Sequence, residues 1–156
     1  MIRREAIPEH ALHAHYGRQG SYLDCYVTEI AATANLARFI EAFYTTWLFK
    51  IERWILSWAV RKPSTDAQAR EIARGLRQDF AAWTCEARGT DQLLMCDFLG
   101  HTRSWFMVET LGESSTRLYF GSVVTSKSRG YQAWLGFHKL YSRALLGAAR
   151  ARLLRG

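Results

Sequence analysis

The stretch that decides how this chain is read runs Trp83-Thr-Cys-Glu-Ala-Arg88, Gly89-Thr90, Gln92-Leu-Leu-Met-Cys-Asp-Phe-Leu99, Gly100-His101, Arg103-Ser-Trp-Phe-Met-Val-Glu109, a Gly/Ser-rich break, then Arg117-Leu-Tyr-Phe-Gly-Ser-Val-Val124. Short aromatic and β-branched runs divided by Gly-containing breaks are the signature of consecutive hairpins, so four antiparallel strands are expected here. Treating Gly89-Thr90 and Gly100-His101 as two-residue turns sets Cys85 opposite Leu94, Trp83 opposite Cys96, Cys96 opposite Trp105 and Leu94 opposite Met107. Side chains alternate with period two, so one face then carries Trp83, Cys85, Ala87, Leu94, Cys96, Phe98, Arg103, Trp105, Met107 and Glu109. The other carries Thr84, Glu86, Arg88, Leu93, Met95, Asp97, Leu99, Ser104, Phe106 and Val108. Because the first strand is polar on this second face, the first face is expected to be the inner one.

Working outward, Tyr22 to Ile30 alternates Leu23, Cys25 and Val27 against Tyr22, Asp24, Tyr26 and Thr28, the pattern of a fifth strand preceding the others. Beyond it, Thr33 or Asn35 can cap a helical region in which Leu36, Phe39, Ile40, Phe43, Trp47, Ile51, Trp54, Ile55 and Trp58 recur at three and four. This is one long helix or two short ones meeting near Thr45-Thr46, ended by Pro63. Thr65 and Gln68 have capping-box spacing and open a more polar helix running to about Gly75. A basic connection, Ser126-Lys-Ser-Arg-Gly130, leads into a last helix from Tyr131 to Leu154. Its stripe is Trp134, Phe137, Tyr141, Leu145 and Ala148, and Arg150, Arg152 and Arg155 sit where the helix dipole favours cations.

With 156 residues, 49% of them apolar and 13% aromatic, the chain is long enough for one folded domain, expected over residues 21–156 behind a flexible arm of residues 1–20. The net charge of +7 raises nucleic-acid binding as a possibility. The cations are spread along the chain and 17 of the 21 are arginine, so no such partner is expected. His10, His13 and His15 cluster in the arm without carboxylates or cysteines in rigid spacing, and no metal site is expected. Cys25, Cys85 and Cys96 fall inside strands; their odd number and the lack of a secretory segment point to a reducing cytoplasm. Cys85 and Cys96 would be diagonal neighbours, with a redox pair set against two buried small hydrophobes. The apolar region from Phe39 to Val60 is interrupted by Glu41, Lys50, Glu52 and Arg53, so no membrane span is expected. There is no Gly-rich phosphate loop, GxSxG, HExxH or CxxC, and no cofactor is expected.

Strand, helical segment, antiparallel meander and long C-terminal helix, carried by Tyr22 to Ile30, Asn35 to Gly75, Trp83 to Val124 and Tyr131 to Leu154, form an order that resembles the START or Bet v 1 type helix-grip superfamily, which includes lipid-transfer and polyketide cyclase-like domains. More loosely, the chain resembles small uncharacterised bacterial members of that superfamily. The likeness is one of element order and length, without a diagnostic motif. It implies an α+β fold whose curved antiparallel sheet grips the C-terminal helix around a cavity. The superfamily's sheet has seven strands where five are read here. Either the sheet is abbreviated or the fold is another roll, cystatin-like or nuclear transport factor 2-like, in which the long helix precedes all the strands.

The resemblance and the inner face together imply a small hydrophobic or aromatic ligand held by Trp83, Cys85, Cys96, Phe98, Trp105, Met107, Trp134, Phe137 and Tyr141. Arg103 and Glu109, the charges on that face, are the catalytic candidates for a cofactor-independent cyclase, isomerase or hydrolase in the same cavity. The third reading is an interaction module without a ligand. The apolar residues left over, Leu93, Met95, Leu99, Phe106 and Val108 on the outer face and Tyr44, Trp47 and Trp54 on the helix, predict a homodimer through one of these surfaces.

Overall fold

The computed structural model describes residues 1–125 and 131–155, with backbone alone over 131–138. It is an α+β arrangement of β1 (Arg3–Arg4), α1 (Ala14–Arg18), β2 (Tyr22–Ile30), α2 (Leu36–Tyr44), α3 (Trp47–Ala59), α4 (Asp66–Ala73), β3 (Asp79–Phe80), β4 (Trp83–Arg88), β5 (Gln92–Asp97), β6 (Thr102–Thr110), β7 (Thr116–Val124) and α5 (Tyr131–Leu153). The strands form one antiparallel sheet in the order β1-β2-β7-β6-β5-β4-β3. After β2 the three helices carry the chain to the far edge, and the meander returns strand by strand until β7 closes on β2 in a nine-residue ladder from Tyr22 opposite Val124 to Ile30 opposite Thr116. Among the described residues the sheet therefore has seven strands, not five. The two additions, β1 and β3, are two residues long, too short for an alternating pattern to show in sequence.

The turns are longer than two residues, and this shifts the register. Leu94 faces Trp105 and Cys96 faces Arg103, a slip of two that preserves the face. In the first hairpin Trp83 faces Asp97 and Cys85 faces Met95, a slip of one, and a bulge between Cys85 and Ala87 restores Ala87 to the side of Leu94. Trp83 and Cys85 therefore lie with Met95, Leu93, Phe106 and Phe120 on one face, and this is the face that carries the helices. Leu94, Trp105 and Met107 point to the opposite face, against Cys25, Val27, Tyr119 and the arm residues Ile7, Ala11, Leu12, Ala14 and Tyr16. On β5 and β6 the expected inner and outer faces are thus exchanged, while Trp83 and Cys85 keep the inner side expected for them. Polarity on β4, the basis of that assignment, reports ion pairs and a cap at the sheet's edge: Glu86 binds Arg103, and Arg88 donates to the carbonyls of Ile72 and Ala73.

The arm is likewise not a flexible tail. β1 pairs with β2, and Gln92, itself buried, ties the segment down by accepting from Leu12 N at 3.0 Å and donating to His10 O at 3.2 Å. Its Oε1 also accepts from Trp105 Nε1 at 2.9 Å. Without this cover Trp105, Leu94 and Met107 would face water, so burial of their apolar surface holds the arm in place.

On the helix face, Asn35 caps α2 by accepting from Arg38 N at 2.9 Å. Thr46 caps α3 by accepting from Phe49 N at 3.2 Å, so the helical region is two helices broken at Thr45-Thr46. Both halves of the capping box of α4 form, between Thr65 and Gln68. α2 lies over the middle of the sheet and fills it with rings: Phe43 packs edge-on against Phe106 at 4.9 Å and tilted against Phe120 at 4.8 Å. Leu145, Leu146, Ala149 and Leu153 of α5 complete this core.

Candidate functional site

Because α2 occupies the centre of the sheet, α3 and α5 roof only the end where β4 begins and β6 starts. The space they leave is a cavity of about 440 Å³. Its floor is Trp83 of β4, Thr102, Arg103 and Ser104 of β6, and Phe120 of β7. Its roof is Leu48, Phe49, Ile51, Glu52 and Ile55 of α3 with Tyr141, Ser142 and Leu145 of α5, and Phe43 of α2 closes the inner end. Positions 48, 51, 52 and 55 recur at three and four, one stripe of α3 that looks into the cavity. Such a volume, mostly apolar with a few polar groups, has the dimensions of a small-molecule site.

The polar groups converge on one carboxyl. Glu52 accepts a hydrogen bond from the Tyr141 hydroxyl, joining the two roof helices across the cavity. Burial among apolar neighbours pushes the Glu52 carboxyl above the ordinary carboxylate range, and the Tyr141 bond offsets part of that rise. Glu52 keeps some accessible surface because it borders the cavity, while protein encloses its other sides. Burial and the Glu52 charge raise the Tyr141 hydroxyl. The arrangement offers a guest a carboxyl able to hold or give up a proton, in a wall that also includes Ser104 and Ser142.

Of the residues expected from sequence to bind a ligand, Trp83 and Tyr141 border the cavity, and Cys85 packs on the core beside Trp83. Trp105 and Met107 are buried on the other face, beneath the arm. Cys96 shares that face through its place opposite Arg103, and Phe98 is exposed in the turn that follows. The side chains of Trp134 and Phe137, and the basic connection 126–130, lie outside the described residues. Cys85 and Cys96 sit on opposite faces and form no pair; burial raises both thiols, the mark of inert small hydrophobes.

The catalytic candidates separate in the same way. Arg103 is among the lining residues, but its guanidinium lies 4.6 Å over the Tyr16 ring, with Nε donating to Glu86 at 3.0 Å and NH1 to Gly100 O at 2.6 Å. Glu109 accepts from Arg117 at 3.1 Å and from the Tyr119 hydroxyl at 2.6 Å. Six residue-to-residue steps of extended strand divide the two, about 20 Å, too far to act on one small guest. Asp97 holds its turn by accepting from His101 N at 2.8 Å and Thr102 Oγ1 at 3.1 Å. Among the described residues no group of His, Cys, Asp and Glu side chains is placed to hold a metal ion.

Glu52 is the residue that sequence reading passed over, having counted it only as an interruption in an apolar run. The signal was there: one carboxylate spaced three and four from Leu48, Ile55 and Phe49 falls on the apolar side of the helix, where an acid costs free energy unless a partner meets it. The chain matches no protein-family model, no curated protein and no solved structure.

Proposed function

We propose that this protein is a helix-grip type carrier, of the START or Bet v 1-like kind, that holds a small hydrophobic or aromatic molecule between its sheet and the helices α3 and α5. The observation that carries this reading is the cavity of about 440 Å³ with Glu52 and Tyr141 as its polar end and Trp83, Phe43, Phe120 and Leu145 as its apolar walls. In it, the guest lies along the Trp83 and Phe120 rings, and an oxygen of the guest meets Glu52. The element order, strand to helices to meander to long helix, is the one the resemblance rests on, and seven strands agree with the superfamily's count.

The reading is tested by filling the cavity. Ser104→Phe projects a ring from the floor; it is expected to abolish binding of an environment-sensitive apolar dye while the variant still melts cooperatively. If the wild type binds no dye, or the variant binds it as before, the cavity does not hold guests. A second reading, proton transfer to or from a bound guest, is favoured by the raised carboxyl of Glu52 beside a phenol. Glu52→Gln would then abolish turnover of an enolisable guest but leave its binding intact.

A further inference from the structure

Among the described residues, nothing covers the outer side of the cavity's roof. Trp47, Trp54 and Trp58 are 70%, 65% and 76% exposed, and Ile51 and Ile55 about half. Spacings of four, three, one and three put all five on one face of α3. Large apolar side chains in such a row are rare on a lone soluble chain. The same stretch is free of exposed acid. From position 47 to 63 the exposed residues are Trp47, Lys50, Ile51, Trp54, Ile55, Trp58, Ala59, Arg61, Lys62 and Pro63, while Glu52 turns inward to Tyr141. At the N-terminal end, Trp47 also borders a surface groove of about 600 Å³ where Arg38, Arg152 and Arg155 face a single lining carboxylate, Glu41, among the described residues.

We propose that this face of α3 docks on the surface of an anionic lipid bilayer. Three tryptophans beside cations are the composition of a helix lying in the interfacial plane, indole rings at the acyl boundary and positive charges at the phosphates. A second copy of this chain fits the face less well. A second copy would bring more of the same unpaired charge, Arg61 and Lys62, to the interface, whereas lipid phosphates neutralise it; Lys50 is already paired with Asp66 at 2.7 Å. Ile51 and Ile55 belong both to this face and to the cavity wall, so docking turns the cavity's mouth toward the acyl phase. In the part that rests on the carrier reading above, the guest is accordingly a molecule dissolved in the bilayer; docking itself does not depend on it.

The test is co-sedimentation of the full chain with vesicles of phosphatidylcholine alone or mixed with phosphatidylserine. Binding is expected with the mixed vesicles, weakening as salt is raised. The paired variant Trp54→Ser/Trp58→Ser, altered only at exposed positions and so keeping its melting temperature, is expected to lose at least about tenfold in affinity. Arg61→Gln/Lys62→Gln loses about fivefold for each charge removed. Failure to bind mixed vesicles at low salt, or equal binding by the tryptophan variant, overturns the proposal. So does a wild type that is dimeric without lipid and becomes monomeric in the tryptophan variant, since a second copy would then be the occupant. Ser104→Phe separates the two readings. It is expected to bind vesicles normally but not to withdraw a lipophilic dye from them. If the wild type docks yet withdraws no dye, docking stands and the carrier reading fails.

Discussion

His13 is the residue through which acid should loosen this protein. It lies in the arm, with 0% exposure, its ring 4.3 Å from Trp105, and both ring nitrogens lack hydrogen-bond partners. Gly121 makes the space, since a Cβ there would come within 3.0 Å of His13 Nε2. Desolvation lowers the imidazole from 6.5 to about 4, the Asp24 carbonyl attracting the proton without reaching bonding geometry. The unfolded chain therefore binds a proton below 6.5 that the folded one refuses until about 4, so stability falls as pH drops across that window. At 1.36 kcal/mol per pH step the loss comes to about 3 kcal/mol, a large part of a small domain's stability. Asp24 opposes it, because burial raises its carboxyl and gives the folded state the greater proton affinity as pH falls. For that reason the assay compares denaturant unfolding of the wild type with His13→Leu above and within the window. The wild type should lose about 3 kcal/mol more than the variant. Equal losses, or a His13 imidazole that titrates near 6.5 by NMR, would refute the reasoning.

Trp105→Ala should cost about 3 to 5 kcal/mol, measured by denaturant unfolding, because it hollows the layer beneath the arm, yet leave dye affinity of the folded fraction unchanged. Deleting residues 1–16 should expose Leu94, Trp105 and Met107 and abolish the cooperative melt, read by circular dichroism. Glu52→Gln should raise the melting temperature at alkaline pH and converge on the wild type as pH falls through the raised carboxyl pKa, since the cost removed is that of the ionised form. Oxidation of the native protein should yield no Cys85–Cys96 disulfide by mass mapping, because the sheet lies between them.

The element order was legible because its signals are local: a cap at Thr33 or Asn35, a capping box at Thr65 and Gln68, periodicity from Leu36 to Trp58, and Gly-containing breaks in the meander; the structure uses Asn35, and Thr46 caps α3. Which face looks inward was not. Leu93, Leu94 and Met95 are all buried because β5 is covered on both sides, by helices and by the arm, so alternation there carried no sign. The bulge at Cys85 and Ala87 then moved Trp83 and Cys85 to the face opposite Trp105, which no composition rule anticipates. The site followed the faces. Trp83 and Tyr141 reached the cavity, while the guanidinium of Arg103, whose residue borders the floor, and the carboxylate of Glu109 went to partners elsewhere, and Glu52 met the cavity because α3 lies over it. Of the two surfaces expected to form a dimer, the sheet face has Leu93, Met95 and Phe106 buried and Val108 half-buried, with Leu99 exposed in the turn after β5, while on the helices Tyr44 is buried and Trp47 and Trp54 stay open.

The central claim is that the space beneath α3 and α5 holds an apolar guest. Native mass spectrometry of the purified protein, run beside Ser104→Phe, tests it most directly. The account predicts a wild type carrying an extra mass that is released on denaturation and partitions into organic solvent, and a folded variant without it. A wild type at the bare mass of its chain that also takes up no added apolar guest, with Ser104→Phe destabilised by the roughly 1 to 3 kcal/mol of an overpacked core, would contradict it.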